Sequence, residues 1–170
     1  MPIAMAKPLR VGKRGLLVIY LIDEQLKLII LEGRPYGRGL AATRSLTPNE
    51  VIADLSGCVV TDEPTVYSIA LGDRRYIDEP PVSYLNHSCM PNVFGDTGQM
   101  RMKAIRPITA GEELTFFYPS TEWEMVGPFK CMCGAPACLV WIAGAIDVPE
   151  EVLSRYELND HIKQRLRQDR

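Results

Sequence analysis

The run Asn86-His87-Ser88-Cys89-Met90-Pro91-Asn92 sets a thiol beside an imidazole and two carboxamides in a proline-punctuated loop. Downstream, Cys131-x-Cys133-x4-Cys138 brings three more thiols into eight residues. Zinc favours four soft donors in a tetrahedron, and thiolates are the usual donors of a closed structural site. Two cysteines one residue apart can share an ion if the backbone turns, and Gly134 follows directly to let it. The cluster supplies three ligands, so Cys89 is the best candidate for the fourth. Cys58, in a strand-like run, reads as a buried thiol. Metal-directed thiols fit a reducing, intracellular compartment better than a disulfide framework does.

Something has to carry these loops. Residues 16–22 and 26–31 read as strands joined by an acidic turn. Glu32–Gly39 is rich in glycine and proline and reads as a turn. Further short strands are expected at 41–43, 51–55, 58–60, 67–71, 76–77, 93–94, 100–105 and 113–117. Short strands split by Gly and Pro predict a mainly β fold of small sheets with some α. The C-terminal stretch differs: Pro149-Glu150-Glu151 is a helix start, and Val152, Tyr156, Ile162 and Leu166 recur near helical spacing. Asn159 is expected to break it into two pieces.

The 170 residues allow one domain with a real core, and hydrophobic residues at 46% are ordinary for a globular protein. A net charge of −2 gives no basic signature for direct nucleic-acid binding. The apolar run 16–22 is too short to span a membrane, and Asp23-Glu24-Gln25 follows it in place of a small-residue cleavage site. With no targeting signal in view, the expected location is cytoplasmic or nuclear.

Taken together, these motifs resemble the SET-domain lysine methyltransferases. Gly37-Arg38-Gly39-Leu40 with Ala42-Thr43 is similar to the family's opening glycine motif. Asn86–Asn92 matches NHSCxPN, Gly111–Tyr118 matches GEELTFDY except at Phe117, and Cys131–Cys138 matches the post-SET CxCGxxxC segment. The resemblance covers residues 33–142. It implies small β-sheets with a C-terminal pseudoknot, S-adenosylmethionine as methyl donor, structural zinc, and a substrate lysine entering by a channel. The domain organisation it implies is N-terminal strands over 1–32, the catalytic domain over 33–120, a post-SET zinc segment over 121–142 and a helical tail over 143–170.

Residue by residue, the resemblance makes Tyr118 the tyrosine beside the transferring methyl. Tyr67 is a tyrosine of the cofactor or lysine pocket, or an ordinary strand tyrosine. Phe116 is the aromatic that influences how many methyls are added, and phenylalanine there favours di- or trimethylation. Gly37, Arg38, Gly39, Asn86 and His87 look like cofactor contacts. Phe129, Trp141 and Ile142 either wall the adenine or pack in the core. Cys89, Cys131, Cys133 and Cys138 are the metal ligands.

The match departs from the family in three places that bear on the substrate. Phe117 stands where aspartate is usual, Leu139-Val140 where Arg-Gly is usual, and the stretch between Tyr67 and Asn86 has little room for an inserted helix. These departures leave the substrate open, and the resemblance makes a protein lysine the expected acceptor. The alternatives are a small molecule in a biosynthetic pathway or a zinc-stapled binding module without catalysis.

Overall fold

The computed structural model describes residues 20–23, 28–34, 37–79 and 82–169. Most of the expected first strand, residues 16–19, lies outside them. The chain runs through β1 (Tyr20–Asp23), β2 (Leu28–Arg34), β3 (Gly37–Ala42), β4 (Val51–Asp54), β5 (Val60–Thr61), β6 (Ile69–Gly72) and β7 (Arg75–Ile77). It continues with β8 (Asn86–His87), β9 (Val93–Asp96), β10 (Arg101–Ala104), β11 (Glu113–Phe116), β12 (Phe129–Lys130) and β13 (Trp141–Ile142). Two helices close it, α1 (Glu150–Leu153) and α2 (Asp160–Asp169).

These strands form four small sheets, in orders β1-β2-β3-β11-β8, β4-β10-β9, β5-β7-β6 and β12-β13. The decisive pairing is in the first. β11 runs antiparallel to β3 on one side and parallel to β8 on the other, with Thr115 opposite Asn86 and Phe116 opposite His87. A parallel pair needs a long connection. Here the chain between its strands builds β9 and β10, so residues distant in sequence meet at one sheet edge.

The main core gathers Leu28, Leu40, Leu55, Ile77, Met102, Ile108 and Leu114, all nearly solvent-free, from three of the sheets. A second core joins Phe117 to Ala145, Val148, Leu153, Leu158 and Ile162. The helical segment expected after Pro149 is therefore packed, and it does break at Asn159. Asn159 is buried with its amide satisfied on both sides. Nδ2 donates to the Gly95 and Ser120 carbonyls (2.8 and 2.9 Å), and Oδ1 accepts from the Thr97 amide and hydroxyl (both 2.9 Å). A buried amide paid for in this way locks the tail onto the sheets.

Two local expectations fail for backbone reasons. The glycine-rich 32–39 stretch is mostly strand. β2 runs to Arg34 and β3 begins at Gly37, where φ of +103° needs glycine and the register shifts. Tyr67 lies in a turn, outside any strand. The Tyr67 amide donates to Thr65 Oγ1 (3.0 Å), and the Thr65 amide donates to Ser68 Oγ (3.0 Å), so side-chain oxygens outcompete a ladder. Among the described residues, no helix is long and apolar enough to cross a membrane.

Candidate active site

The meeting of β8 and β11 is fastened by the polar residues of the Asn86–Asn92 run. Asn92 is buried. It donates from Nδ2 to the Glu113 carbonyl (2.8 Å) and accepts at Oδ1 from the Thr115 amide (2.8 Å), so one side chain replaces a missing strand residue. Asn86 Nδ2 donates to the Arg38 carbonyl (2.8 Å) and to Glu113 Oε1 (2.9 Å). That cross-link demands glycine at 39. A Cβ there would meet Glu113 Oε1 at 2.5 Å and Asn86 Nδ2 at 3.1 Å.

Immediately after β11 the chain turns into a 3-10 segment, Tyr118–Ser120, with Pro119 inside it. The Tyr118 hydroxyl donates to the Leu85 carbonyl (2.7 Å), and its ring lies 4.7 Å from that of Phe116. Burial, and then the carboxylates of Glu122 and Glu113, push the phenol well above its ordinary value, so it stays protonated.

Tyr118 faces a cavity of about 940 Å³. Gly37, Arg38, Tyr67, Asn86, His87, Phe116 and Phe129 also line it, so the structure brings these predicted site residues together. Arg38 leans on Tyr84, with its guanidinium 5.6 Å from the ring centroid. Gly39, Trp141 and Ile142 do not line the cavity. Ile142 is fully buried opposite Phe129 in the β12–β13 hairpin, and Trp141 is 57% exposed.

Along one wall lies the thiol cluster. The Sγ atoms of Cys89, Cys131, Cys133 and Cys138 all fall within 4.8 Å of one another. A tetrahedral ion with metal–sulfur bonds of about 2.3 Å would hold its sulfurs about 3.8 Å apart. The Cys133 and Cys138 sulfurs are 3.8 Å apart. Four thiols with no open position could hold zinc as a closed site. Backbone amides are already aimed at the sulfurs, Leu139 N–H at Cys89 (3.4 Å) and Val140 N–H at Cys138 (3.4 Å). Burial raises the Cys89 thiol to about 11 and pushes Cys131 up further. At Cys133 burial also opposes ionisation, but the Cys89 and Ala135 amides and the neighbouring thiols overcome it and bring the group down to about 7.

His87 connects the cluster to the tyrosine. The Tyr118 amide donates to Nδ1 (3.2 Å), which leaves the proton on Nε2, 3.3 Å from Cys89 Sγ. Burial holds the imidazole neutral, far below its usual value at about 3. With both nitrogens engaged inside the protein, His87 offers a ligand its ring face and backbone only.

Two cavity residues escaped sequence reasoning. Tyr84 precedes the Asn86 motif by two positions and could have been noticed as an aromatic beside it. Glu122, four residues after Tyr118, carried no sequence signal. It is largely enclosed, and its Oε1 accepts from the Ala70 amide (2.8 Å) and the Thr121 hydroxyl (3.1 Å). Burial outweighs these bonds and pushes its carboxyl up to about 7.

The family model described as SET domain matches residues 37–119. Methyltransferase flvH of Aspergillus flavus is 38% identical over 138 residues, which span 79% of this chain and 78% of that protein. The H3 lysine-36-specific histone-lysine N-methyltransferase of Coccidioides immitis is 32% identical over 145 residues, 71% of this chain but only 14% of that larger protein. Among solved structures, KRYPTONITE in complex with mCHG DNA and SAH aligns with a TM-score of 0.55 at 21% identity, covering 67% of this chain and 28% of that one. The methyltransferase domain of human SETMAR aligns with a TM-score of 0.53 at 18% identity, covering 68% and 57%. At these identities the two structures speak to the fold alone.

Proposed function

The chain belongs to the SET-domain methyltransferase family, and on that footing we propose that it moves a methyl group from S-adenosylmethionine to an amine, with a protein lysine as the acceptor its motifs favour. The observation that supports this most is Tyr118. It lines a cavity that also takes in Asn86, His87 and Phe116, at the junction of β8 and β11.

When bound, S-adenosylmethionine supplies an electrophilic methyl on a sulfonium. The chain's own residues have three tasks. The Gly37–Arg38 backbone and the β8 strand cradle the donor. Asn86 Oδ1, whose amide nitrogen is fixed to Arg38 and Glu113, is left to accept from the donor's amino-acid tail. Phe116, Phe129 and Val82 exclude water from the transfer path.

The acceptor must be a neutral amine, and deprotonating a free lysine at pH 7 costs about 4.6 kcal/mol. A dry channel and a neighbouring cation both lower an ammonium's pKa and reduce that cost. The Tyr118 hydroxyl spends its proton on Leu85, so its lone pairs face the amine and orient it for in-line attack. Phe116 adds no second hydroxyl beside Tyr118, which leaves room for successive methyls and favours di- or trimethylation. Zinc at Cys89, Cys131, Cys133 and Cys138 plays a structural part, fixing the Asn86–Asn92 loop against the C-terminal segment.

A second acceptor class has its own support. Among the described residues, the segment from Tyr67 to Asn86 forms one hairpin and a 3-10 turn, Val82–Tyr84, with no inserted helix to build a peptide groove. A small-molecule amine would need none.

Purified protein with labelled S-adenosylmethionine, offered either a cell lysate or a panel of free amines, tests both. Label in a protein band supports the lysine reading, and label only in small amines supports the second. Tyr118→Phe should lower the rate on the order of 100-fold while cofactor binding changes little. No label on any acceptor would defeat the proposal.

A further inference from the structure

Among the cavity's polar groups, Glu122 has no task in the scheme above. Its backbone amide donates to the Tyr118 carbonyl (2.9 Å), so the carboxyl rises one turn beyond the tyrosine on the same wall. Oε1 is held by Ala70 and Thr121, while Oε2 makes no hydrogen bond among the described residues. A buried carboxylate is costly unless paired. This one borders a cavity whose lining also includes the apolar Ile69, Val82, Phe116 and Met125.

We propose that Glu122 is the acceptor's counter-ion: the substrate enters as a primary alkylammonium, and the Glu122 carboxylate holds it and takes one of its protons. The inference rests on the methyl-transfer reading and names the substrate group within it. The carboxylate removes one proton and leaves a lone pair on nitrogen. That pair forms the new N–C bond as the methyl–sulfur bond breaks, its electrons going to sulfur. The product is a methylammonium and a neutral thioether. The proton on Glu122 then passes to solvent, which restores the carboxylate.

The alternatives at this end of the cavity fit less well. The Tyr118 hydroxyl already donates to Leu85, and its phenol is held protonated. Asp78 also lines the cavity, but its Oδ2 accepts from Thr65 Oγ1 at 2.6 Å, which ties it to the Thr65–Ser68 turn and not to the segment that follows Tyr118. The Glu122 carboxylate and the Tyr118 oxygen thus present acceptors to a ligand, which suits the three donors of an ammonium. A carboxyl that titrates near neutrality is also well matched to accepting a proton there.

The test is an NMR titration of the protein, with and without S-adenosylhomocysteine, using n-butylammonium and its neutral counterpart n-butanol. Wild-type protein should prefer the ammonium by tenfold or more. Glu122→Gln keeps the acceptor for the Ala70 amide and should abolish that preference, while Glu122→Asp should keep part of it. In turnover, Glu122→Gln should lose about 100-fold in kcat. Equal preference in wild type and Glu122→Gln, or no ammonium binding by wild type, overturns the inference. Failure of wild type to bind S-adenosylhomocysteine, or to methylate any amine, would instead defeat the broader reading, and the binding titration keeps the two apart.

Discussion

The proposed donor side and the proposed acceptor side of one cavity are built on different principles. On the donor side, most fastenings join residues far apart in sequence. Cys89 sits among Cys131, Cys133 and Cys138, His87 bridges Cys89 and Tyr118, and the Tyr156 hydroxyl donates to the Cys89 carbonyl (2.9 Å). On the acceptor side, the Thr65–Ser68 turn holds itself by local side-chain bonds. Its tip is open, with Val66 58% and Tyr67 64% exposed, and Val126 on the facing segment is 55% exposed. The facing segment comes close to it, since a Cβ on Gly127 would meet Val66 Cγ1 at 2.9 Å. A site held by long-range ties tolerates little change, whereas one held by a local turn can vary with its substrate.

Three experiments press on this contrast, in order of expected effect. Cys131→Ser should remove the donor side altogether. It breaks the tetrahedron and the small core of Cys89, Cys131 and Ile142, so a loss on the order of 4 kcal/mol or more is expected in denaturant titration. A stable, fully folded variant would show that the thiols are not a staple.

Glu122→Gln sits between the two sides and should show itself through pH. The carboxyl is raised from its ordinary 4.5 to about 7, so the folded state binds its proton more tightly than the unfolded chain does. Its contribution is therefore fully present below about pH 4.5 and is lost as pH rises through 7. The full difference is about 3 kcal/mol. The variant should melt above wild type at pH 8 and alongside it near pH 4. The same gap at both values would mean that charge burial is not the cause.

Tyr67→Ala is the mildest. Stability should change by about 0.5 kcal/mol or less, because the side chain is exposed. KM for the acceptor should rise several-fold, with affinity for S-adenosylhomocysteine unchanged. Lost cofactor affinity would place Tyr67 on the donor side and erase the distinction.

The same contrast explains what could be read from the sequence. The thiol spacing, the Asn86–Asn92 run and Tyr118 were legible because long-range constraints demand particular chemistry at fixed positions. The small sheets and the broken helical tail were legible from turn residues and spacing. The 32–39 stretch was misread because its glycines serve a register shift and a close approach inside strands. The strand expected from Tyr67 begins only at Ile69, because threonine and serine oxygens capture the backbone before it. Glu122 was invisible, since only the fold encloses it.

Phe117 shows the limit most plainly. Where the resembled family has aspartate, this ring stacks on Tyr156 at 3.7 Å between centroids with planes 5° apart, inside the core that docks α1 and α2. From sequence the change counts only as a departure that bears on the substrate. In the structure it is an apolar seat for the tail.

The central claim is that the methyl-donor site and the thiol cluster are one structural unit, joined through Cys89 and His87. The most direct test removes zinc stepwise with a chelator while calorimetry follows S-adenosylhomocysteine binding and metal analysis counts the ion. The account predicts one zinc per chain and a fall in affinity of tenfold or more that tracks its removal. Full affinity in metal-free protein, or no zinc in wild type to begin with, would contradict it.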